Sequence, residues 1–265
     1  MNWFDKLLHR KLKIGLALSG GATLGAAHIG VLQVLEREGI RPDFVAGTSA
    51  GALVGAIYCA GVPLDELANI FINMKWPSLI RLSLPKPVAL FDMQPMDVVI
   101  TKIIGDCDFK DLEIPFAAIS CDLMTGERVV LDSGPVAPAI RSSASVPGIF
   151  TPVELNGRML VDGGVVDNLP VEQVEAMGAK FVIASDVSNR GENIKRPDNV
   201  FDVLQAIFNI MQDRGALPNS DECDCYIRPE VTQYSCWGFD EGAKVLEAGK
   251  KAAESVLPSL IKQLR

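Results

Sequence analysis

Histidine is scarce in this chain of 265 residues: only His9 and His28 occur, and nothing beyond residue 28 carries an imidazole. A nucleophile-elbow triad needs its histidine last in the chain, so any serine chemistry downstream has to find another base. Cysteine is thin too. The six thiols are spread along the chain with no Cys-x-x-Cys pair, which argues against a disulfide framework and, at Cys223, Cys225 and Cys236, against a zinc site. No cleavable leader pattern is present, and the free-thiol composition predicts a reducing, cytoplasmic setting. Excess positive charge is also missing. The formal net charge is -8, and without a cationic stripe nucleic acid is excluded as the main partner. Internal repeats and low-complexity tracts are absent, as are both nucleotide-loop patterns. The first glycine-rich loop has no Gly-x-Gly-x-x-Gly register, and Gly25 is followed by Ala26-Ala27 instead of Lys-Ser/Thr. The composition therefore calls for no cofactor and no metal.

What is present is apolar and rhythmic. Hydrophobic residues make up 48% of the chain, enough for one large core. Strand-like runs occur at 14–18, 44–46, 116–120, 128–131, 159–161, 181–185 and 225–227. Helical periodicity is clearest at 25–38, 50–60, 64–73, 171–177, 200–213 and 239–264. This alternation predicts an α/β fold, a three-layer α/β/α sandwich with a mainly parallel central sheet. The stretch from Ile14 to Leu35 carries no formal charge, yet five glycines break it into strand, turn and helix, which favours a buried βα unit over a membrane span.

The expected organisation is an N-terminal amphipathic segment, 1–13, and a single α/β domain, 14–265. In the first segment Trp3, Phe4, Leu7, Leu8 and Leu12 recur at helical spacing beside Lys6, Arg10, Lys11 and Lys13. That pattern suits peripheral contact with a membrane, but a short helix packed on the domain, or a frayed end, has the same look and is favoured over it. Residues 76–97 break the rhythm with Pro77, Pro85, Pro87 and Pro95. They read equally as a lid over a site or as an ordinary surface excursion.

Three short pieces carry chemistry. Gly47-Thr48-Ser49-Ala50-Gly51 lies between the apolar run Phe44-Val45-Ala46 and a helical pattern, the layout of a nucleophile elbow in which Gly47 and Gly51 leave room for a sharp turn. A serine hydroxyl needs a base; a spatially rearranged His28 is conceivable, but a packing or hydrogen-bonding histidine on the helix face is favoured, and the base should then be a carboxylate. Asp162 is the best single choice because it ends the run Met159-Leu160-Val161 and is followed by Gly163-Gly164; Asp43, Asp122, Asp167 and Asp186 also lie near strand ends. The third piece is Ser19-Gly20-Gly21-Ala22-Thr23-Leu24-Gly25, a glycine turn opening a helix. Its amides suit an oxyanion.

Together these pieces, in this order, resemble the patatin-like phospholipase family, in particular its compact bacterial members. The resemblance extends through Ala27-His28-Ile29-Gly30-Val31-Leu32, Ser143-Ala144-Ser145-Val146-Pro147-Gly148-Ile149-Phe150 and Asp162-Gly163-Gly164-Val165-Val166-Asp167-Asn168-Leu169-Pro170. It implies a Ser-Asp dyad, with Ser49 as nucleophile and Asp162 as base, cleaving fatty-acyl (phospho)lipid or other carboxylic esters through an acyl-enzyme without a metal. It also implies an oxyanion hole from the amides of Gly20, Gly21, Ala22 and Ala50. The first loop departs from the family pattern, with Ala22 at the third glycine and Leu24 at the usual basic position. An acyltransferase using the same nucleophile, or a non-catalytic membrane-associated regulatory protein on the same fold, are the alternative readings. Oligomeric state is not encoded in these motifs.

Overall fold

A computed structural model of the chain describes residues 12–84, 88–188, 196–220 and 222–265. Most of the amphipathic 1–13 segment lies outside the described residues. Ten strands are seen among these residues: β1 (Ile14–Leu18), β2 (Phe44–Thr48), β3 (Arg81–Leu82), β4 (Phe91–Asp92), β5 (Phe116–Asp122), β6 (Arg128–Leu131), β7 (Val153–Leu155), β8 (Arg158–Asp162), β9 (Phe181–Ser185) and β10 (Cys225–Ile227). The helices are α1 (Ala26–Arg37), α2 (Ala50–Cys59), α3 (Leu64–Asn73), α4 (Trp76–Leu79), α5 (Gln94–Ile104), α6 (Val136–Ser143), α7 (Val171–Ala176), α8 (Val200–Ser220) and α9 (Gly242–Leu264).

The central sheet runs β10-β9-β1-β2-β5-β8-β7, with β6 also paired to β5. Its first five strands are parallel, and β6, β7 and β8 join antiparallel. Alternation along each strand sends Leu16, Leu18 and Val45 to the larger core. Ala17, Ala46, Ala117 and Ala184 face the smaller one, with Val171 and Val174 of α7 and Ala216 of α8. Small side chains on that face let its helices sit close to the sheet. The expected three-layer α/β/α architecture is what the chain adopts.

The fold puts the ends of β1, β2 and β8 and the turns after them at one rim of the sheet. Ligands of open α/β sheets bind at such carboxyl ends. No helix among the described residues is long and apolar enough to cross a membrane. Three helices, α4, α5 and α6, lie outside the stretches where helical periodicity is clearest in the sequence. Pro95 falls at the start of α5, where a missing amide costs nothing, so it opens a helix instead of breaking one. Likewise α6 follows directly on Gly134-Pro135, with Pro135 as its N-cap.

Candidate active site

β2 passes into α2 through Ser49 alone. The cost is backbone strain: Ser49 has φ 53° and ψ -116°, a left-handed conformation rare for a residue with a side chain and worth about 1–3 kcal/mol. A Cβ on Gly47 would fall on the Gly51 carbonyl, and one on Gly51 would fall on the Leu18 carbonyl, so only glycine lets strand and helix meet this closely. The strained turn is held from outside. Ser49 N donates to Ser143 Oγ at 3.0 Å, and that hydroxyl donates to the Ile119 carbonyl of β5.

Asp162 is the last residue of β8 and pairs across the sheet with Ser120. Its amide donates to the Ser145 carbonyl at 2.9 Å. The α6–β7 segment therefore anchors the backbone of both Ser49 and Asp162, through Ser143 and Ser145. That stretch carries part of the family resemblance, but its anchoring role is not readable from its spacing. Asp162 Oδ1 accepts the Gly164 amide at 2.8 Å, capping the turn Gly163–Val165. Gly163 permits the turn, since a Cβ there would fall on the Ile119 carbonyl.

Asp162 is fully buried. Burial raises its pKa to about 7, against the opposing pull of the Ser49 hydroxyl and the Gly164 amide. The Ser49 hydroxyl is near enough to exert that pull, yet Oδ2 has no partner in full hydrogen-bond geometry among the described residues. Loose contacts of this kind are common in unliganded sites and tighten with substrate. Such a carboxyl is poised to exchange a proton near neutral pH.

The glycine loop comes from the end of β1. Gly20 N donates to both the backbone oxygen and Oδ1 of Asn168, each at 3.2 Å, so this amide is turned to the protein and not to an oxyanion. Gly21 and Ala22 have no acceptor for their amides among the described residues, and no side chain caps the start of α2 at Ala50. Ala22 has φ 51°, the region a glycine enters without strain. Leu24 is fully buried in the core; at this position the chain packs an apolar side chain where a cation would be expelled.

His28 lies in α1, fully buried, with Nε2 2.9 Å from the Ser19 carbonyl and Nδ1 2.9 Å from Ser185 Oγ. A carbonyl only accepts, so Nε2 carries the proton and Nδ1 accepts from Ser185. Burial lowers the ring's pKa to about 4 and keeps it neutral. It braces the loop and does not touch Ser49.

Ser49 opens onto an apolar cavity of about 60 Å³ walled by Leu53, Phe71, Met74, Phe150, Trp237 and Phe239. Leu79, Met93 and Met96, from the described parts of the 76–97 segment, also line it. Among the described residues no three His, Cys, Asp or Glu side chains group as metal ligands. Asp186 accepts from the Tyr226 hydroxyl and the Ser188 amide, and Asp167 pairs with Arg128. Asp43 and Asp122 likewise pair with Lys13 and Arg158, which leaves Asp162 as the strand-end carboxyl beside Ser49.

Residues 16–174 match the family model described as patatin-like phospholipase. Among curated proteins, an uncharacterised NTE family protein of Mycobacterium tuberculosis is 36% identical over 174 residues, covering 65% of this chain and 48% of that protein. Neuropathy target esterase of Drosophila melanogaster is 29% identical, covering 94% and 20%. A lysophospholipase of Candida albicans is 32% identical, covering 75% and 14%. The chain thus spans about half the length of these relatives, or less. Among solved structures, VipD from Legionella pneumophila aligns with a TM-score of 0.62 at 14% identity, covering 94% of this chain and 67% of that one. The type III effector protein ExoU aligns at 0.52 and 13%, covering 94% and 53%. At these identities the two structures speak to the fold alone.

Proposed function

The chain belongs to the patatin-like phospholipase family, and from that footing we propose that it is a serine acyl hydrolase cleaving fatty-acyl esters of lipids through Ser49 and Asp162. One observation carries the reading: a strained serine at the rim of the sheet stands beside a buried carboxyl with a pKa of about 7, at the end of an apolar cavity. The names of the relatives, an esterase and a lysophospholipase, agree with it.

In this mechanism ionised Asp162 takes the hydroxyl proton as Ser49 Oγ attacks the acyl carbonyl. The oxyanion forms against the amides of Gly21, Ala22 and Ala50, which need not reorganise as the charge develops. Collapse breaks the ester bond, and the leaving alkoxide regains the proton from Asp162. Water then attacks the acyl-enzyme with Asp162 again as base, releasing the fatty acid and restoring the serine. No step calls for a metal or cofactor. The apolar cavity takes the carbonyl end of the acyl chain, and the Met74, Met93 and Met96 side chains give it walls that deform to admit more of it.

The test is turnover of p-nitrophenyl esters of several chain lengths and of lysophosphatidylcholine by wild type, Ser49→Ala and Asp162→Asn. Hydrolysis by wild type and at least a thousandfold loss in both variants are expected; full activity in folded Ser49→Ala would overturn the assignment. The amphipathic pattern of residues 1–13 supports peripheral membrane contact as part of the same reading. Liposome flotation unchanged by deleting residues 1–12 would remove that part. A cytoplasmic setting also belongs to the reading, supported by six free thiols.

A further inference from the structure

Gln212 is an anomaly on α8. The face of this helix turned to the protein carries Phe208, Gln212 and Ala216 at four-residue spacing, all buried. A glutamine in the middle of such a stripe is unfavourable unless its amide is put to use. It lies beyond residues 16–174, the part of the chain that the family model matches.

The Gln212 side chain reaches both glycine loops of the site. Its Nε2 donates to Asn168 Oδ1 at 3.1 Å, and the same oxygen accepts the Gly20 amide at 3.2 Å. Two donors converging on one atom fix the Asn168 amide, since the flipped orientation would set its NH₂ against both. A Cβ built on Gly20 would stand 2.6 Å from Asn168 Oδ1, 2.7 Å from Gln212 Nε2 and 3.1 Å from Ser49 Cβ. The Asn168 and Gln212 amides thus crowd the point where the glycine turn meets the nucleophile. On its other side Gln212 packs on Gly164, where a Cβ would stand 2.9 Å from its Cγ. Gly164 is the residue whose amide Asp162 accepts. Asn168 Nδ2 is buried with no partner among the described residues, a polar atom tolerated where the site needs the other end of the amide.

We propose that Gln212 and Asn168 are a positioning couple for the hydrolysis: Gln212 fixes the Asn168 amide, Asn168 holds Gly20, and together they set the Gly21 and Ala22 amides opposite Ser49. The inference rests on the serine-hydrolase reading. It makes α8 part of the catalytic apparatus, although no residue of it need touch the substrate.

The test compares Gln212→Met and Gln212→Glu with wild type, measuring kcat and KM for a p-nitrophenyl ester from pH 6 to 9, per mole of Ser49 titrated by a fluorophosphonate. Methionine keeps the length and removes the donor. Its kcat should fall about tenfold at every pH with KM within about twofold, the size of one lost hydrogen bond that matters in the transition state. Glutamate donates to Asn168 only while protonated. Relative to wild type, Gln212→Glu should lose progressively more activity as pH rises, a pH signature that a packing role would not produce. Wild-type kcat in both variants, or losses confined to KM or to the titrated fraction, would overturn the proposal. Failure of folded wild type to label at Ser49 would instead remove the serine-hydrolase reading, and this inference with it.

Discussion

Asp162→Asn should abolish turnover and at the same time stabilise the fold above neutral pH. In the folded protein burial raises the Asp162 carboxyl from 3.8 to about 7. In the unfolded chain it titrates near its ordinary value, about 3.9. Between these values the unfolded chain has released a proton that the folded protein keeps, so this group's contribution falls as pH rises from about 4 to about 7 and stays low above. At about 1.4 kcal/mol for each pH unit the full loss is about 4 kcal/mol. Asparagine has the same shape, never ionises, and keeps an oxygen to accept the Gly164 amide. It therefore escapes most of that loss. Urea unfolding of both proteins at pH 8 should show the variant more stable by about 2–4 kcal/mol, and at pH 5 that advantage should shrink by about 3 kcal/mol. Equal stability at pH 8, or an advantage that does not change between pH 5 and pH 8, would refute the claim that a desolvated carboxylate sits beside Ser49.

His28 should act in the opposite sense within the same window. Its folded pKa of about 4 lies below the ordinary 6.5, so its contribution is complete above about pH 6.5 and is lost as pH falls towards 4. The two groups partly cancel in wild type, and His28→Gln should uncover a stability that declines from pH 4 to 7, read by urea unfolding across pH. Ser49→Gly should be inactive yet more stable by about 1 kcal/mol, since glycine holds φ 53° without strain; thermal unfolding checks it. Ser143→Ala leaves the Ser49 amide and the Ile119 carbonyl without their partner. It should cost about 1–3 kcal/mol and slow fluorophosphonate labelling of the folded protein.

The parts of the fold visible in the sequence are those where one local rule dominates. Strands such as Ile14–Leu18 and Phe181–Ser185 are unbroken apolar runs between polar or glycine-rich turns, and they appear where expected. Helix α5 was hidden by Pro95, a residue that breaks a helix interior but suits its first turn. The sharp turns at Ser49 and after Asp162 could be anticipated because glycine flanks each one, and only a side-chain-free residue allows such close backbone approach. The supports of these turns could not. Ser143 on the Ser49 amide, Ser145 on the Asp162 amide and Gln212 on Asn168 are contacts between residues 17 to 94 positions apart, set by how the layers pack. The engagement of the Gly20 amide by Asn168 has the same origin.

The most direct measurement is peptide-mapped mass spectrometry of the protein after fluorophosphonate treatment, with the rate of adduct formation followed from pH 5 to 9. A single adduct on Ser49 is expected, forming at a rate that climbs through about pH 7 as Asp162 ionises and falls sharply in Asp162→Asn. An adduct on another residue, or a Ser49 rate indifferent to both pH and Asp162→Asn, would contradict it.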